Sequence, residues 1–251
     1  GNLDVWVRHM GGGDPIQVTS HPADDSDPVF SPDGSQIAFR SEREGGGIYV
    51  VPALGGEARL IAPRGRNPQF SPDGSRIAYW IGTGSFPPVG LGNPATYIVN
   101  SAGGPATRLQ PEFASATMPV WAPDGKHLML EGAPTPGAEA DWWAVPVEGG
   151  SAVQIPVWKA FQKQTAWSAP FGKRKAWIGS RVIFSYSSRQ SSDLWQIRIS
   201  NRGWGIAGSP QRLTFGTLKS SSPSVSASGQ VVFESVASNL NLWSLAVDSR
   251  R

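Results

Sequence analysis

Within eight residues, "HPADDSDP" at 21–28 gathers an imidazole, His21, and three carboxylates, Asp24, Asp25 and Asp27. Oxygen donors at that density suit a hard cation, or a cationic group on a partner. A solvated connection in which Asp27 caps a turn would use the same residues without any ligand. A second set of carboxylates recurs. "SPDGSQIAF", "SPDGSRIAY" and "APDGKHLML" place Asp33, Asp73 and Asp124 at equivalent positions. Such a repeat can be a ring of acids or a turn, and the flanking residues favour the turn. Pro presets φ at the second position, Asp suits the third, and Gly takes the left-handed conformation at the fourth. Two later copies, "APFGK" with Phe171 and "SASGQ" with Ser228, drop the acid, which a metal or catalytic ring would not survive.

Other reactive groupings are few. No G-x-S-x-G elbow and no H-E-x-x-H motif is present. His9, His21 and His127 lie far apart, and His127 follows a Pro-Asp-Gly turn where Gln36 and Arg76 stand in other copies, which makes it ordinary strand surface. The chain has no cysteine, hence no disulfide, thiolate metal site or cysteine nucleophile. No catalytic residue, metal or cofactor is expected.

The elements that carry these residues repeat. "LDVWV", "GIYVV", "ATYIV", "DWWAV", "DLWQI" and "NLWSL" place Trp6, Tyr49, Tyr97, Trp143, Trp195 and Trp243 at intervals of 43 to 52 residues. That period assigns these aromatics to the core between repeats. Glycine pairs follow four of these strands, at Gly12-Gly13, Gly55-Gly56, Gly103-Gly104 and Gly149-Gly150, and each reads as a reversal. A second strand ("IQVT", "ARLIA", "TRLQ", "VQIP", "QRLT"), a third ("PVFS", "PQFS", "PVWA", "AWSA", "PSVS") and, after a turn, a fourth ("QIAFR", "RIAYW", "HLMLE", "RVIFS", "QVVFE") complete each unit. Four antiparallel strands at this period predict an all-β fold, a β-propeller of four-stranded antiparallel blades. With strands lettered A to D from the axis outward, residues 1–251 read as one domain. C and D strands fall at 3–19, full blades at about 28–62, 68–110, 119–156 and 166–214, and A, B and C strands at 222–248. Five or six blades are expected, in a closed ring or as part of a longer array.

Composition agrees. Thirty glycines and 22 prolines make the chain turn-rich, while 11 tryptophans and 10 phenylalanines make it globular rather than disordered. The net charge is only +3 and its cations are scattered, so no nucleic-acid partner is expected. The one run, Lys173 to Lys175, reads as a hairpin tip. No stretch of about 18 apolar residues exists, so no membrane insertion is expected. The first ten residues lack a leader's pattern and read as the inside of a domain cut from something longer.

In a propeller, the D–A and B–C connections surround one mouth of the channel. "HPADDSDP" lies there, and so do Arg64, Arg66, Glu112, Lys159, Lys163 and Lys219. This rim of mixed sign favours polar recognition over a metal cage. The longest B–C loops are 82–95, which carries Phe86 beside two prolines, and 131–141. Long loops on a rigid scaffold are where binding concentrates. The candidate binding residues are therefore His21, Asp24, Asp25, Asp27, Arg64, Arg66, Phe86 and Lys163.

"DPVFSPDGSQIAFRSEREGGGIYVVPALGGEARLI" resembles the TolB-type propeller repeat, a relative of the WD-type repeats, nearly throughout. From about residue 180 the chain resembles propeller regions attached to bacterial serine/threonine kinases and winged-helix regulators. The resemblance implies a periplasmic or extracytoplasmic protein-binding, sensor or scaffold module and carries over no catalytic residue. The expected function is non-enzymatic recognition of a protein, peptide or glycan at the channel mouth. The alternatives are a hydrolase or lyase using His21 and its neighbouring aspartates, and the scaffold propeller of a peptidase.

Overall fold

A computed structural model describes residues 1–9, 11–82, 93–162, 175–187, 192–200, 202–215, 219–225 and 230–236. Its strands form antiparallel meanders, each sheet taking its strands in chain order. The first complete sheet holds β3 (Asp25–Phe30), β4 (Gln36–Ser41), β5 (Gly47–Pro52) and β6 (Arg59–Pro63). The second holds β7 (Arg66–Phe70), β8 (Arg76–Ile81), β9 (Ala95–Asn100) and β10 (Thr107–Arg108), and the third β11 (Ser115–Trp121), β12 (His127–Ala133), β13 (Asp141–Pro146) and β14 (Val153–Ile155). A short helix, α1 (Val157–Gln162), leads towards the fourth, which holds β15 (Lys175–Ile178), β16 (Arg181–Ser187), β17 (Ser192–Arg198) and β18 (Gln211–Arg212). Two-stranded sheets stand at either end, β1 (Trp6–Val7) with β2 (Ile16–Gln17), and β19 (Lys219–Val225) with β20 (Val231–Val236).

The described residues thus show four complete blades, not five or six. The first sheet holds only an outer C–D pair and the last only an inner A–B pair, and Trp243 lies outside the described residues. A second difference concerns the fourth blade. Its inner strand is Lys175–Ile178, turning at Gly179, rather than "AWSA" at 166–169, which with Phe171 lies outside the described residues. Helix α1 was not foreseen, since six residues are too few to show a period.

Successive sheets bury their faces against one another, so central strands are apolar on both sides. Ala38, Ile48 and Val50 of the first blade pack on Phe70, Ile77 and Tyr79 of the second. Ala78 and Ile98 meet Trp121, Leu128 and Leu130, and Val120, Met129 and Trp142 meet Val182, Phe184 and Ile197. Of the periodic aromatics expected in this core, Tyr49 belongs to it, Tyr97, Trp143 and Trp195 pack against it, and Trp6 falls outside it. Trp6 is 55% exposed, because β1 and β2 have no inner strands beside them. Tyr97, Trp143 and Trp195 are half-buried, and Tyr49 alone of the described members is buried. Among the described residues the fully buried indole is that of Trp142, one residue before Trp143, since successive side chains of a strand face opposite sides of the sheet.

The Pro-Asp-Gly aspartates are turn residues. Asp33 accepts hydrogen bonds from the Ser31 hydroxyl, from the Ser35 amide at 3.1 Å and from the Ser35 hydroxyl at 2.8 Å; Asp73 repeats the set with Ser71 and Ser75. Gly34, Gly74 and Gly125 close the turns at φ of 73°, 73° and 64°. The serine hydroxyls, foremost among these donors, hold both carboxyls down at about 2, against an ordinary 3.8. A depressed folded value adds stability that is complete above the unfolded value and is lost as pH falls from about 4 towards 2. An Asp33→Asn/Asp73→Asn variant should therefore show a flatter fall in stability over that window than the parent, measured by urea unfolding at each pH. Parallel curves would contradict the assignment.

Candidate functional site

The first strand of each blade touches the first strand of the next, β3 to β7, β7 to β11, β11 to β15 and β15 to β19, so these strands line the axis. Four of the five share an irregularity. Asp27, Asn67, Met118 and Ser222 each precede a proline, and each takes a left-handed φ, of 56°, 53°, 50° and 52°. The register of each strand against its partner shifts there. Proline cannot donate to the ladder and pushes the preceding residue out of the helical region, so the strand bulges. Asp and Asn tolerate the left-handed well, whereas Met118 holds it at a cost of order 1 kcal/mol.

Just before the bulge, an inner-strand residue stands opposite a residue of the second strand: Ser26 opposite Arg40, Arg66 opposite Trp80, and Thr117 opposite Glu131. Equivalent places in three blades thus hold six side chains of five types. Arg40 donates to Glu42 through Nε at 2.7 Å and Nη2 at 2.8 Å, and crosses to the next blade through Nη1 to the Gly65 carbonyl at 2.8 Å. The Arg66 guanidinium lies 6.0 Å from the centre of the Trp80 ring, half-buried. Burial, then the charge of Arg40, pushes its pKa down against the opposing pull of Glu42 and Asp27. At the next junctions Thr96 Oγ1 donates to the Ala116 carbonyl at 3.0 Å, and Lys175 Nζ meets Glu131, both buried, with Trp142 5.2 Å away.

The residues expected in the site separate into groups. Asp27 and Arg66 come together at the bulge of adjacent blades, close enough for their charges to interact. Asp25 belongs elsewhere: it is 3% exposed, and both its carboxylate oxygens accept from Arg43 Nη2, at 3.1 and 2.9 Å. Arg43 itself sits 4.8 Å over the Tyr49 ring, so the pair is an internal brace. Asp24 accepts the Leu3 amide at 2.8 Å, and His21 accepts the Ala23 amide through Nδ1 and the Asn2 side chain through its carbonyl. These two residues tie down the first segment. Proximity in sequence did not bring the four groups of "HPADDSDP" to one point, because His21 and Asp24 precede β3 and the left-handed bulge at Asp27 breaks the alternation that would have set it on the face of Asp25. Among the described residues no group of three or more His, Asp or Glu is placed to hold a metal ion. Arg64 is exposed on the connection into β7, its amide bonded to the Gly46 carbonyl at 2.7 Å. Phe86 and Lys163 lie outside the described residues.

Arg40, Glu42, Trp80, Glu131 and Lys175 were missed. The signal was in the sequence at the fourth strand of the repeat, where "AFR", "AYW" and "MLE" end on an arginine, a tryptophan and a glutamate at one equivalent position. His127, read as plain strand surface, is half-buried, with Nδ1 2.8 Å from Asp124 and its ring 4.6 Å from that of Trp204. A groove of about 520 Å3 runs between the outer parts of the second and third blades, but its polar groups pair across it, Arg76 with Glu148 at 2.8 Å and Gln110 with the Gly150 carbonyl at 3.1 Å. It is a seam between blades.

This architecture has counterparts. Residues 1–89 match the TolB beta propeller domain. That segment carries TolB-type propeller repeats. The TolB-type fold extends beyond that segment: 90% of the chain superposes on 75% of the putative TolB from Agrobacterium tumefaciens, with a TM-score of 0.65 at 21% identity. A puromycin-hydrolysing peptidase of Mycobacterium tuberculosis aligns over 94% of this chain and 40% of its own, with a TM-score of 0.60 at 16% identity. Tricorn protease homolog 1 of Streptomyces coelicolor is 30% identical over 154 residues, 61% of this chain and 14% of that protein's length. The chain therefore spans a small part of the curated relative it matches. Among the described residues no helix is long and apolar enough to cross a membrane.

Proposed function

We propose that this TolB-type propeller is a non-enzymatic recognition module that takes a protein or peptide segment, or a glycan, at the mouth where β3, β7 and β11 open. The observation that carries the reading is the bulge shared by four inner strands, which sets Asp27, Asn67, Met118 and Ser222 at one repeated position, with Asn67 buried and the other three at least partly exposed. A ring of identical metal ligands would need like groups at like places. Unlike groups on a rigid scaffold suit an irregular polymeric partner, whose successive groups differ. The two-stranded end sheets are read as parts of further blades, giving five or six around the axis. The TolB resemblance supports an extracytoplasmic location, within a larger signalling or envelope protein.

A second reading, the scaffold propeller of a peptidase, is favoured by the 30% identity to Tricorn protease homolog 1. In that case the mouth would admit peptide substrates to a catalytic domain outside this chain. Selection of random displayed peptides on the purified protein tests the first reading. Selected peptides should lose about tenfold in affinity for Asp27→Asn, which keeps the left-handed tolerance and removes the charge, and keep it for the seam variant Glu148→Gln. Binders indifferent to Asp27→Asn but sensitive to Glu148→Gln would move the site to the seam, and turnover of a peptide panel by the chain alone would make it an enzyme.

A further inference from the structure

Among the described residues at the mouth, the charged side chain whose surroundings leave its chemistry incomplete is Arg66, beside Trp80, whose buried indole N–H also lacks an acceptor. Arg40 beside it is satisfied on three nitrogens by Glu42 and the Gly65 carbonyl. Arg43 is satisfied by Asp25 and the Ser41 hydroxyl. Among the described residues the Arg66 guanidinium makes no hydrogen bond and no ion pair, although it is half-buried, lies against Trp80 and stands at the junction of two blades. Guanidinium groups removed in part from water are ordinarily paired, since each donor left without a partner costs free energy. The indole supplies attraction through its π face and no acceptor for the N–H groups.

We propose that Arg66 is the anchor for a carboxylate of a bound peptide, received as a fork of two parallel N–H···O bonds. This deepens the recognition reading above and rests on it. The geometry favours an anion at this point over the cation that "HPADDSDP" suggests. The guanidinium itself is the reason, since it makes no hydrogen bond or ion pair among the described residues; of the single charges acting on it that of Arg40 is the largest, with Glu42 and Asp27 opposed to it. The Trp80 ring, 6.0 Å from the guanidinium, gives it an apolar neighbour that does not compete for its N–H groups, which leaves the fork to a planar carboxylate. The carboxylate could be the end of a chain or an Asp or Glu side chain, and the chemistry at Arg66 is the same.

The test uses the 251-residue protein and three small probes. N-acetyl-glycylglycine carries only a main-chain carboxylate, N-acetyl-glutamic acid α-amide only a side-chain one, and N-acetyl-glycylglycine amide none. The arginine Nε–Hε resonances are followed by NMR, with that of Arg66 identified by its loss in Arg66→Lys. Saturable movement with one or both acids and none with the amide is the expected result, and the acid that acts names the source. Arg66→Gln should weaken binding of that acid about tenfold or more, with Arg66→Lys between. Equal response to acid and amide, no response to either acid, or unchanged affinity in Arg66→Gln would overturn the proposal. Displayed peptides that bind the parent and Arg66→Gln alike would retain the recognition reading while discarding the carboxylate. If selection yields no binder, the recognition reading loses its support while the acid titration still decides for or against the arginine.

Discussion

Lys175→Met should lower the free energy of unfolding by about 3 to 5 kcal/mol, because it leaves the Glu131 carboxylate buried without its cation. Glu131 and Lys175 are 5% and 6% exposed, and they belong to different blades, β12 and β15. The lysine also lies 5.2 Å from the Trp142 ring, so its removal takes away a cation–π contact as well. Truncating one partner of such a pair costs far more than the pair contributes, since two buried charges lose their hydration whether or not they meet. The double variant Glu131→Leu/Lys175→Met should for that reason recover most of the loss. Urea denaturation of the parent, both single variants and the double variant closes the cycle. A single-variant cost below about 1 kcal/mol would mean that water reaches the pair.

The second large effect is expected at Trp142, and it separates the sequence-based expectation from the structure. Trp142 is wholly buried, edge-on to Phe184 at 5.1 Å between the third and fourth blades. Trp142→Ala should cost about 3 to 5 kcal/mol through lost burial and the cavity left behind. Trp143, the residue that keeps the repeat's period, is half-buried, with its indole N–H bonded to the Gly132 carbonyl at 3.0 Å and its ring edge-on to Phe113. Trp143→Ala should cost less than half as much. Thermal and urea unfolding of the two variants side by side decide the order, and a reversed order would return the core role to the periodic aromatic.

These two cases show how far the repeat carries. The aromatic at 43 to 52 residue intervals identifies the third strand of each blade, but a period counts residues and is indifferent to which face they take. The face is set by register against β12, where Trp143 pairs with Leu130 and Trp142 with Glu131. Helix α1 shows another limit. Its start is held by Asp141, whose buried carboxylate accepts the Val157 amide at 3.1 Å and the Trp158 amide at 3.3 Å from sixteen and seventeen residues away. Burial raises the Asp141 pKa in spite of those bonds. No local pattern encodes a cap at that distance.

The candidate site was legible in part for the same reason. Asp27 and Arg66 stand in the equivalent inner-strand segments "SDPVF" and "RNPQF", and the recurrence of a polar residue before proline, Asp27 in one and Asn67 in the other, is visible without coordinates. Asp25 is two residues from Asp27 and looked equivalent to it, yet pairs with Arg43, eighteen residues on, through a contact that only the docking of β3 on β4 creates.

The sequence by itself determined the turns, the strands and the propeller, because Pro-Asp-Gly hairpins, glycine-pair reversals and alternation act over a few residues and recur along the chain. The tertiary structure alone decided which charges are braces and which are available. Arg40 with Glu42, Asp25 with Arg43 and Glu131 with Lys175 are satisfied, while Arg66 has neither an ion pair nor a hydrogen bond among the described residues. The fate of a buried charge depends on which groups the packing of neighbouring strands and blades brings within about 3 Å of it, and that is not written at any one position of the chain.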